Sequence, residues 1–285
     1  MSELPLVSVI IPAFNVAPFL EDAVVSALGQ THRNMEVIVV NDGSSDGTDR
    51  VANALAAHDE RVRVIHQTNR GGAAARNAGL HVARGDYISH LDADDVLLPE
   101  KTARQLAYFA EHPECDLVYS DYIHATEQLE PLRTVISGEP PRSFREIIYY
   151  RNWFSVVVPL LRASLSRAVG DFDEGLVGVE DWDYWIRCAM VGVFGYLPGP
   201  VALYRHHGGQ VSRQEARMRR SHEQIIEKHH GTNPRRRRYA IGARHWHYAR
   251  HWYGRKYPLR TARELLAFAA SVRDPREIRR IMQLG

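Results

Sequence analysis

The feature that most constrains the fold is an alternation of short β-rich runs with helical patterns over the first hundred residues. Apolar runs lie at 7–11, 35–40, 61–65 and 85–91, and each is followed by turn or helix-start residues. Strands that alternate with helices at this spacing predict a mostly parallel, doubly wound sheet with right-handed crossovers. We therefore predict an α/β fold.

Polar residues follow each of these four strands, at 12–15, 41–45, 69–72 and 92–95. In a parallel sheet the ligand binds beyond the carboxyl ends of the strands, so four separate segments are expected to converge on one crevice. Each segment taken alone is also ordinary turn chemistry. The occurrence of all four favours a binding site at this edge.

The chain leaves the fourth strand through three acids, Asp92, Asp94 and Asp95. Crowded carboxylates repel one another unless a cation holds them, and oxygen ligands suit Mg²⁺ or Mn²⁺ better than zinc. The alternative is that Asp94 and Asp95 cap the helix that begins near Pro99. We favour a divalent cation that bridges the acids to a diphosphate.

Composition excludes several classes of protein. With 45% apolar and 25% charged residues over 285 positions, the chain is expected to form one large domain and an appendage. Its longest apolar run, 154–161, is far shorter than the ~20 residues that cross a bilayer. Neither a signal peptide nor the Gly-x-Gly-x-x-Gly and Gly-x-x-x-x-Gly-Lys-Ser/Thr nucleotide signatures are recognisable. Cys115 and Cys188 read as buried thiols, so we expect a cytoplasmic protein.

Four segments together resemble the family 2 glycosyltransferases of GT-A fold. They read VSVIIPAFN at 7–15, VVNDGSSDGT at 39–48, GAAARNAG at 72–79 and LDADD at 91–95, in the family's order and at its usual separations. The resemblance implies an inverting transferase that takes a sugar from a nucleotide-diphosphate donor, usually with Mg²⁺ or Mn²⁺. The acceptor would be a saccharide or a lipid-linked saccharide of a cell-surface glycan.

The resemblance also implies roles for the residues that follow the first two strands. It places Pro12, Ala13, Phe14 and Asn15 beside the nucleobase and lets Asp42 accept a hydrogen bond from the base. An ionised carboxylate only accepts hydrogen bonds, which suits the N–H of uracil or thymine. UDP or dTDP is therefore favoured, and guanosine is not excluded.

The same resemblance assigns the residues around the acidic cluster. Arg76 would lie near the nucleotide, Asp92 with its neighbour Ala93 on the ribose side of the donor, and Asp94 on the metal. The role of Asp95 stays open between a further carboxylate and helix capping.

A second acidic pair, Glu180 and Asp181, resembles the family's acceptor-side segment, in which the aspartate is the general base. Inversion needs a base on the acceptor oxygen, in line with the anomeric carbon. On residue type alone, capping of the helix start is an equal alternative. Trp182 and Trp185 are weak acceptor candidates, because tryptophans three apart on a helix more often belong to the core.

The segment VALYRHHGGQVS at 201–212 resembles the Tyr-Arg-x-His segment that closes the family's catalytic domain. It implies Arg205 as a contact to the diphosphate and His207, or His206, as a metal ligand. We thus predict a catalytic domain at 1–212, with a nucleotide-sugar half at about 1–100 and an acceptor half at about 101–212. The polar stretch 123–142 is predicted as a loop beside the acceptor cleft or a surface connection.

The remainder, 213–285, is predicted to be a basic helical extension. It holds 19 Lys and Arg against 6 Asp and Glu, a formal charge of +13, whereas the preceding residues carry −11. Tyr239, Trp246 and Tyr253 recur every seven residues, and a basic helix with aromatic residues suits an anionic membrane at the inner face of the cell. The alternative is that this stripe packs on the catalytic domain or on a second subunit in a homodimer.

Two other functions have weaker support in the sequence. A sugar-1-phosphate nucleotidylyltransferase usually carries a Gly-rich, basic signature after the first strand, which 9–15 lacks. Nucleic-acid binding is suggested by the arginines at 235–238, but it leaves the acidic residues unexplained, so no nucleic acid is expected.

Overall fold

The computed structural model describes residues 4–210, 215–254, 256–272 and 274–283. The chain forms two compact units, one from Met1–Arg142 with Trp153–Arg213 and the other from Ser143–Asn152 with Gln214–Gly285. The predicted division after residue 212 left Ser143–Asn152 with the first unit, whereas this segment groups with the C-terminal helices.

The first unit opens with four parallel strands that alternate with three helices. The strands take the order β3-β2-β1-β4, and β1 and β2 are buried almost throughout, as expected for parallel strands covered by helices. This part confirms the predicted α/β class. Its elements are β1 (Val7–Ala13), α1 (Ala17–Leu28), β2 (Met35–Asp42), α2 (Thr48–His58), β3 (Val62–Gln67), α3 (Gly72–Val82) and β4 (Tyr87–His90).

The sheet continues past β4 with mixed strand directions, in the order β4-β8-β6-β9-β5. Strand β8 runs antiparallel to both of its neighbours, so β6 and β9 again point the same way as β4. Their carboxyl ends therefore reach the same edge as the acids after β4. The elements are β5 (Val96–Leu97), α4 (Lys101–Glu111), β6 (Leu117–Ala125), β7 (Pro131–Val135), α5 (Phe144–Ile147, in the second unit), β8 (Leu160–Arg162), α6 (Ala163–Val169), α7 (Glu180–Val191) and β9 (Phe194–Arg205).

The stretch 123–142, predicted as an irregular loop, instead contains a β-hairpin. The end of β6 pairs antiparallel with β7, with His124 opposite Arg133. Residues 131–134 are exposed, so β7 lacks the alternation of buried and exposed residues that marks a strand in a sequence. Backbone hydrogen bonds, which leave no pattern in the side chains, define this strand.

The second unit is helical, as predicted for the C-terminal extension. Its core combines Phe268, Val272 and Ile281 with partly buried residues that include Tyr239 and Trp246. The long helices are α8 (Glu215–His230), α9 (Pro234–Gly254), α10 (Pro258–Ser271) and α11 (Pro275–Gln283). None of the helices in the described ranges is both long enough and apolar enough to span a membrane.

The predicted stripe on α9 does not form a single outward face. Tyr239 and Trp246 pack into the helical core, while Tyr253 is 78% exposed. A seven-residue repeat drifts by only ~20° per heptad around a straight α-helix, so the three residues stay on roughly one face. The core covers this face at Tyr239 and Trp246 but does not extend to Tyr253 at the end of the helix. Tyr239 and Trp246 therefore pack within the helical unit itself, which is neither the predicted membrane contact nor the predicted packing on the catalytic domain or a second subunit.

Candidate active site

Three carboxylates converge directly after β4. Asp92, Asp94 and Asp95 each offer an oxygen atom, and these atoms all lie within 4.8 Å of one another. The Asp95 side chain is buried, with Oδ1 accepting a hydrogen bond from the Arg205 backbone N–H at 2.9 Å and Oδ2 without a partner in the described part of the chain. Burial and the negative charges of Asp94 and Asp92 raise the pKa of Asp95 well above its ordinary value. Such a cluster fits a divalent cation, because a cation would satisfy the unpaired oxygen and remove the repulsion.

An imidazole lies beside this cluster. Nε2 of His207 lies 2.8 Å from Oδ2 of Asp94. His206 points elsewhere and stacks on His124, with ring centroids 4.5 Å apart. Of the two candidate histidines, His207 is therefore the one that lies beside the acidic cluster, and its role as a metal ligand stays a prediction. Carboxylate oxygens with one imidazole suit Mn²⁺ and remain acceptable to Mg²⁺.

Arg205 fastens the end of β9 to the acidic loop. Its guanidinium is 4% exposed and donates to the Asp94 carbonyl at 2.7 Å, to the Glu127 carbonyl at 2.6 Å and to the Asp22 carboxylate at 2.7 Å. These bonds fix the backbone of the residue that carries the cluster's central carboxylate. The predicted contact of Arg205 with a diphosphate stays a prediction.

Arg76 connects two distant segments of the chain, one of which begins at Glu180, 104 residues after the arginine. This buried guanidinium donates to Oδ1 of Asp92 at 2.7 Å and to Oε1 of Glu180 at 2.8 Å. Burial lowers the pKa of Arg76, but the negative charges of Asp92, Glu180 and Asp181 outweigh it and raise the pKa above its ordinary value. A Cβ on Gly72, at the start of α3, would approach Glu180 Oε1 to 3.3 Å, so a glycine leaves room for this carboxylate.

The acidic pair at the start of α7 is divided between two environments. Glu180 is held by Arg76 through Oε1, while its buried Oε2 has no hydrogen-bond partner in the described ranges. Asp181 accepts a hydrogen bond from the Trp182 backbone N–H at 2.7 Å and is partly exposed. The structure thus bonds Glu180, one member of the predicted acceptor-side pair, to the same arginine as the predicted donor-side Asp92.

Asp42, at the end of β2, holds the loop that follows β3. It is buried, and Oδ1 accepts from the Gln67 side chain at 2.7 Å and from the Arg70 N–H at 2.9 Å, while Oδ2 accepts from the Gly71 N–H at 2.8 Å. A carboxylate has about four lone-pair positions, so one remains for a ligand. The predicted contact of Asp42 with a nucleobase stays a prediction, and the carboxylate could accept about one such hydrogen bond.

The residues after β1 form the neighbouring wall. Asn15 has a left-handed backbone with φ 52°, and its Oδ1 accepts from the Ser45 N–H at 2.9 Å, which ties this loop to the loop after β2. Phe14 is 48% exposed, whereas Pro12 and Ala13 belong to β1. An exposed aromatic ring between two polar loops offers a stacking surface.

The two tryptophans of α7 belong to the core. Trp185 is fully buried against Phe154 and Tyr184, and Trp182 is 7% exposed. The more common expectation for tryptophans at this spacing therefore holds. Neither is available as a stacking surface for an acceptor sugar in this conformation.

Two features near the site were not found from the sequence. His90, on β4, is buried, and burial with the charges of Arg76 and Lys101 lowers its pKa to about 3, so it is neutral beneath the arginine. A histidine within an apolar strand gave no signal. The second feature is a ring patch on β6 and β9, in which Tyr204 contacts Tyr122, His124 and His206. The sequence offered one signal for this patch: its ring-bearing residues stand two apart, at 122 and 124 and again at 204 and 206.

Comparisons with known proteins agree on one family. Residues 8–160 match the model of Glycosyl transferase family 2. The uncharacterized glycosyltransferase EpsJ of Bacillus subtilis is 44% identical over 187 residues, which cover 62% of this chain and 54% of the relative. The chain thus spans about half the length of that relative.

Two solved structures share the fold. The mannosyltransferase PcManGT from Pyrobaculum calidifontis, in complex with GDP-Man and Mn²⁺, superposes with a TM-score of 0.65 at 21% identity and covers 99% of this chain and 80% of its own. S. aureus TarS 1-349 in complex with UDP-GlcNAc gives a TM-score of 0.63 at 18% identity, with 98% and 83% covered. At these identities the likeness concerns the fold, which is the predicted GT-A fold.

Proposed function

This chain belongs to glycosyl transferase family 2, and from that premise we propose that it transfers a sugar from a nucleotide-diphosphate-sugar to a hydroxyl acceptor with inversion at the anomeric carbon. The observation that carries the proposal is the Arg76 bridge. It joins Asp92, assigned to the donor, to Glu180, beside the assigned base. Donor and acceptor residues far apart in the chain are thereby held at one place, as a displacement between two substrates requires.

The donor's diphosphate is assigned to the acidic cluster. Asp94 and His207 would hold Mg²⁺ or Mn²⁺, with the buried Asp95 behind them, and the bound metal would stabilise the negative charge of the leaving diphosphate. Arg205 positions this cluster through its bond to the Asp94 carbonyl. Asp92 with Ala93 is assigned to the ribose side of the donor.

The base of the donor is assigned to the loops after β1 and β2. Pro12 to Asn15 would line one side, with the Phe14 ring available for stacking, and Asp42 would accept from a base N–H. We favour UDP or dTDP on that ground. The two structures that share the fold are complexes with UDP-GlcNAc and with GDP-Man, so a guanosine donor is tested as well.

Asp181 is assigned as the general base. Glu180 is held by Arg76 at 2.8 Å, whereas Asp181 beside it is partly exposed. Asp181 would take the hydroxyl proton of the acceptor as the acceptor oxygen attacks the anomeric carbon. Glu180 would then act through Arg76, which also holds Asp92.

For the acceptor we propose a saccharide or lipid-linked saccharide of a cell-surface glycan, met at the inner face of the cell membrane. The ring patch of Tyr122, His124, Tyr204 and His206 lies at the carboxyl ends of β6 and β9, the edge that also carries the acidic cluster. Aromatic faces pack well against the apolar faces of sugar rings. We assign this patch to the acceptor.

The test is a screen of nucleotide-sugars for Mg²⁺- or Mn²⁺-dependent transfer and hydrolysis, followed by Asp181→Asn with the best donor. We expect this substitution to lower kcat by about 10²–10⁴-fold with donor affinity unchanged, because only proton transfer is removed. Asp171→Asn, an exposed aspartate bonded to His81, is the matched control and should keep full activity. If Asp181→Asn keeps most of its rate, the base is wrongly assigned. Release of pyrophosphate from a nucleoside triphosphate would instead support a nucleotidylyltransferase.

A further inference from the structure

Helix α10 presents leucines to solvent and polar residues to the interior of the helical unit. Leu259 is 86% exposed and Leu266 is 74% exposed, whereas Thr261 and Glu264 are buried. Leu259, Ala262, Leu266 and Ala270 follow one another at helical spacing and are all exposed. The apolar stripe of this amphipathic helix therefore points away from the core of its own unit.

Neighbouring residues enlarge this exposed surface. Tyr253, at the end of α9, is 78% exposed, Tyr257 is 52% exposed, and Leu265 is 41% exposed. Single exposed apolar side chains are normal, but a set on one helix face with two adjoining tyrosines indicates a contact with something apolar. We call this set the outer face of α10. It consists of Tyr253, Tyr257, Leu259, Leu265 and Leu266.

A cavity rich in arginine adjoins the outer face. It has a volume of about 290 Å³ and is lined by Arg219, Trp252, Arg260, Arg263 and Glu264. Three guanidinium groups thus stand against one carboxylate. The Glu264 carboxylate is already engaged, because Arg219 donates to it at 2.6 Å and His245 lies 2.7 Å from its other oxygen.

The cavity has the chemistry of a phosphate site. The guanidinium of Arg260 stacks on Trp252, with Cζ 4.5 Å from the ring centroid, which orients its planar set of donors. Arg263 is exposed and stands one turn further along α10 from Arg260. Planar guanidinium groups match the oxygens of a phosphate, and here they adjoin exposed leucines.

We propose that the outer face of α10 lies on an anionic phospholipid membrane, with a headgroup phosphate in the arginine cavity. The leucines enter the boundary between headgroups and acyl chains, the tyrosines lie at headgroup level, and Arg260 and Arg263 reach phosphate from the flank of the same helix. This inference concerns the helical unit alone and holds whether or not the transfer reaction is correctly assigned.

A second copy of the chain fits this surface less well. A twofold contact would bring the same patch of each copy together, so Arg260 and Arg263 would approach their own equivalents. Like charges would then meet around the leucines. An anionic bilayer supplies apolar acyl chains for the leucines and, directly above them, negatively charged headgroups for the arginines.

The experiment is flotation of the full chain with vesicles of phosphatidylcholine alone or of an equal mixture with phosphatidylglycerol. Two double variants are compared: Leu259→Gln with Leu266→Gln, and Arg260→Gln with Arg263→Gln. The matched control, Arg236→Gln with Arg238→Gln, removes the same charge from exposed positions on α9. We expect binding to anionic vesicles only, a loss of about tenfold or more in each test variant, and a loss of less than about threefold in the control.

Other outcomes overturn the proposal. Equal losses in the cavity pair and the control would mean that binding follows net charge alone. Absence of binding to either vesicle also contradicts it, as does a dimer in sedimentation that the leucine variant dissociates, because the outer face would then join two copies. Inorganic phosphate is tested alone by thermal stabilisation. If phosphate stabilises the wild type but not the cavity variant, and vesicles do not bind, the cavity takes a soluble phosphate.

Two further measurements keep these results interpretable. The helix content and the thermal unfolding of each variant show whether it folds. The vesicle assay needs neither donor nor acceptor, so a failed membrane proposal leaves the proposed transfer reaction standing, and a failed transfer assay leaves the membrane proposal standing.

Discussion

The two units of this protein use arginine in opposite ways. In the first unit Arg76 and Arg205 are almost fully buried, and each donates to acceptors from different parts of the chain. In the helical unit the arginines at 235–238 are all exposed. The first group fixes the geometry of the acidic residues. In the second group Arg235 and Arg237 form exposed ion pairs with Glu277 and Glu227, and the four arginines together add to the positive field around their unit.

This difference has an energetic consequence. A buried charge without a partner is strongly destabilising, while an exposed ion pair contributes ~0–1 kcal/mol. The same change of residue type should therefore have very different effects in the two units.

The largest effect is expected for Arg76→Met. The substitution leaves Asp92 and Glu180 close together without a counter-charge, and we expect it to lower the free energy of unfolding by about 3 kcal/mol. This value lies at the low end of the cost of breaking a buried ion pair, because Asp92 is 30% exposed and water screens its charge. Urea denaturation at neutral pH measures the change.

A matched control is Arg61→Met, which breaks a partly exposed ion pair with Asp59 in the same unit. It should cost less than about 1 kcal/mol. If Arg76→Met costs no more than this control, the bridge is not the central element of the site, and the comparison between buried and exposed arginines does not hold.

The next effect concerns the metal. Asp94→Asn removes the carboxylate that lies between Asp92 and Asp95 and faces His207, and we expect Mn²⁺ affinity to fall by at least about tenfold. Calorimetric titration with Mn²⁺ in the absence of donor measures it. Asp49→Asn, on α2, removes an acid from another helix and should leave the titration unchanged. Equal affinities in wild type and Asp94→Asn would place the metal elsewhere.

The sequence predicted one part of this site well and another part hardly at all. The parallel strands and the gathering of Asp92, Asp94 and Asp95 at one edge follow from local patterns, because the carboxyl ends of parallel strands must meet. The link from Arg76 to Glu180 depends on where tertiary folding places the start of α7 relative to α3, which no local pattern specifies. Only the family resemblance placed these residues in one site.

The same limit explains the misread elements outside the site. Strand β7 is exposed along most of its length and gave no periodic signal. On α9 the helical spacing of Tyr239 and Trp246 left open whether these residues meet a membrane or pack on protein, and both lie in the core of their own unit. On α10 the apolar positions pointed outward instead. Helical periodicity identifies an apolar face but does not say what covers it.

A smaller effect on the free energy of unfolding is expected for Asp95→Asn in the metal-free protein, and the prediction concerns the direction of its change with pH. Folding raises the pKa of Asp95, so the unfolded chain ionises this group at lower pH than the folded chain does. The free energy of unfolding of the wild type should therefore fall as the pH rises from about 4. The asparagine variant cannot ionise and keeps an oxygen for the Arg205 N–H, so its stability relative to the wild type should increase over that interval.

Urea denaturation across this pH interval, in chelator, measures the difference in unfolding free energy. Added Mn²⁺ should reverse the order of the two proteins, because the metal stabilises the ionised Asp95 and not the asparagine. A difference that does not change with pH would mean that Asp95 is not held in a repulsive carboxylate environment.

The smallest effect is expected where arginines are exposed. Arg236→Gln with Arg238→Gln should change the free energy of unfolding by less than about 0.5 kcal/mol per residue. At low salt the double variant should be slightly more stable than the wild type. The residues from 213 onward carry a formal charge of +13, and removing two positive charges lowers their mutual repulsion. High salt should abolish the change, since it screens exposed charges, and urea midpoints at low and high salt measure it. A loss above about 1 kcal/mol at either salt would show that these arginines are bonded as Arg76 is, and the contrast between the two units would then be one of sequence composition only.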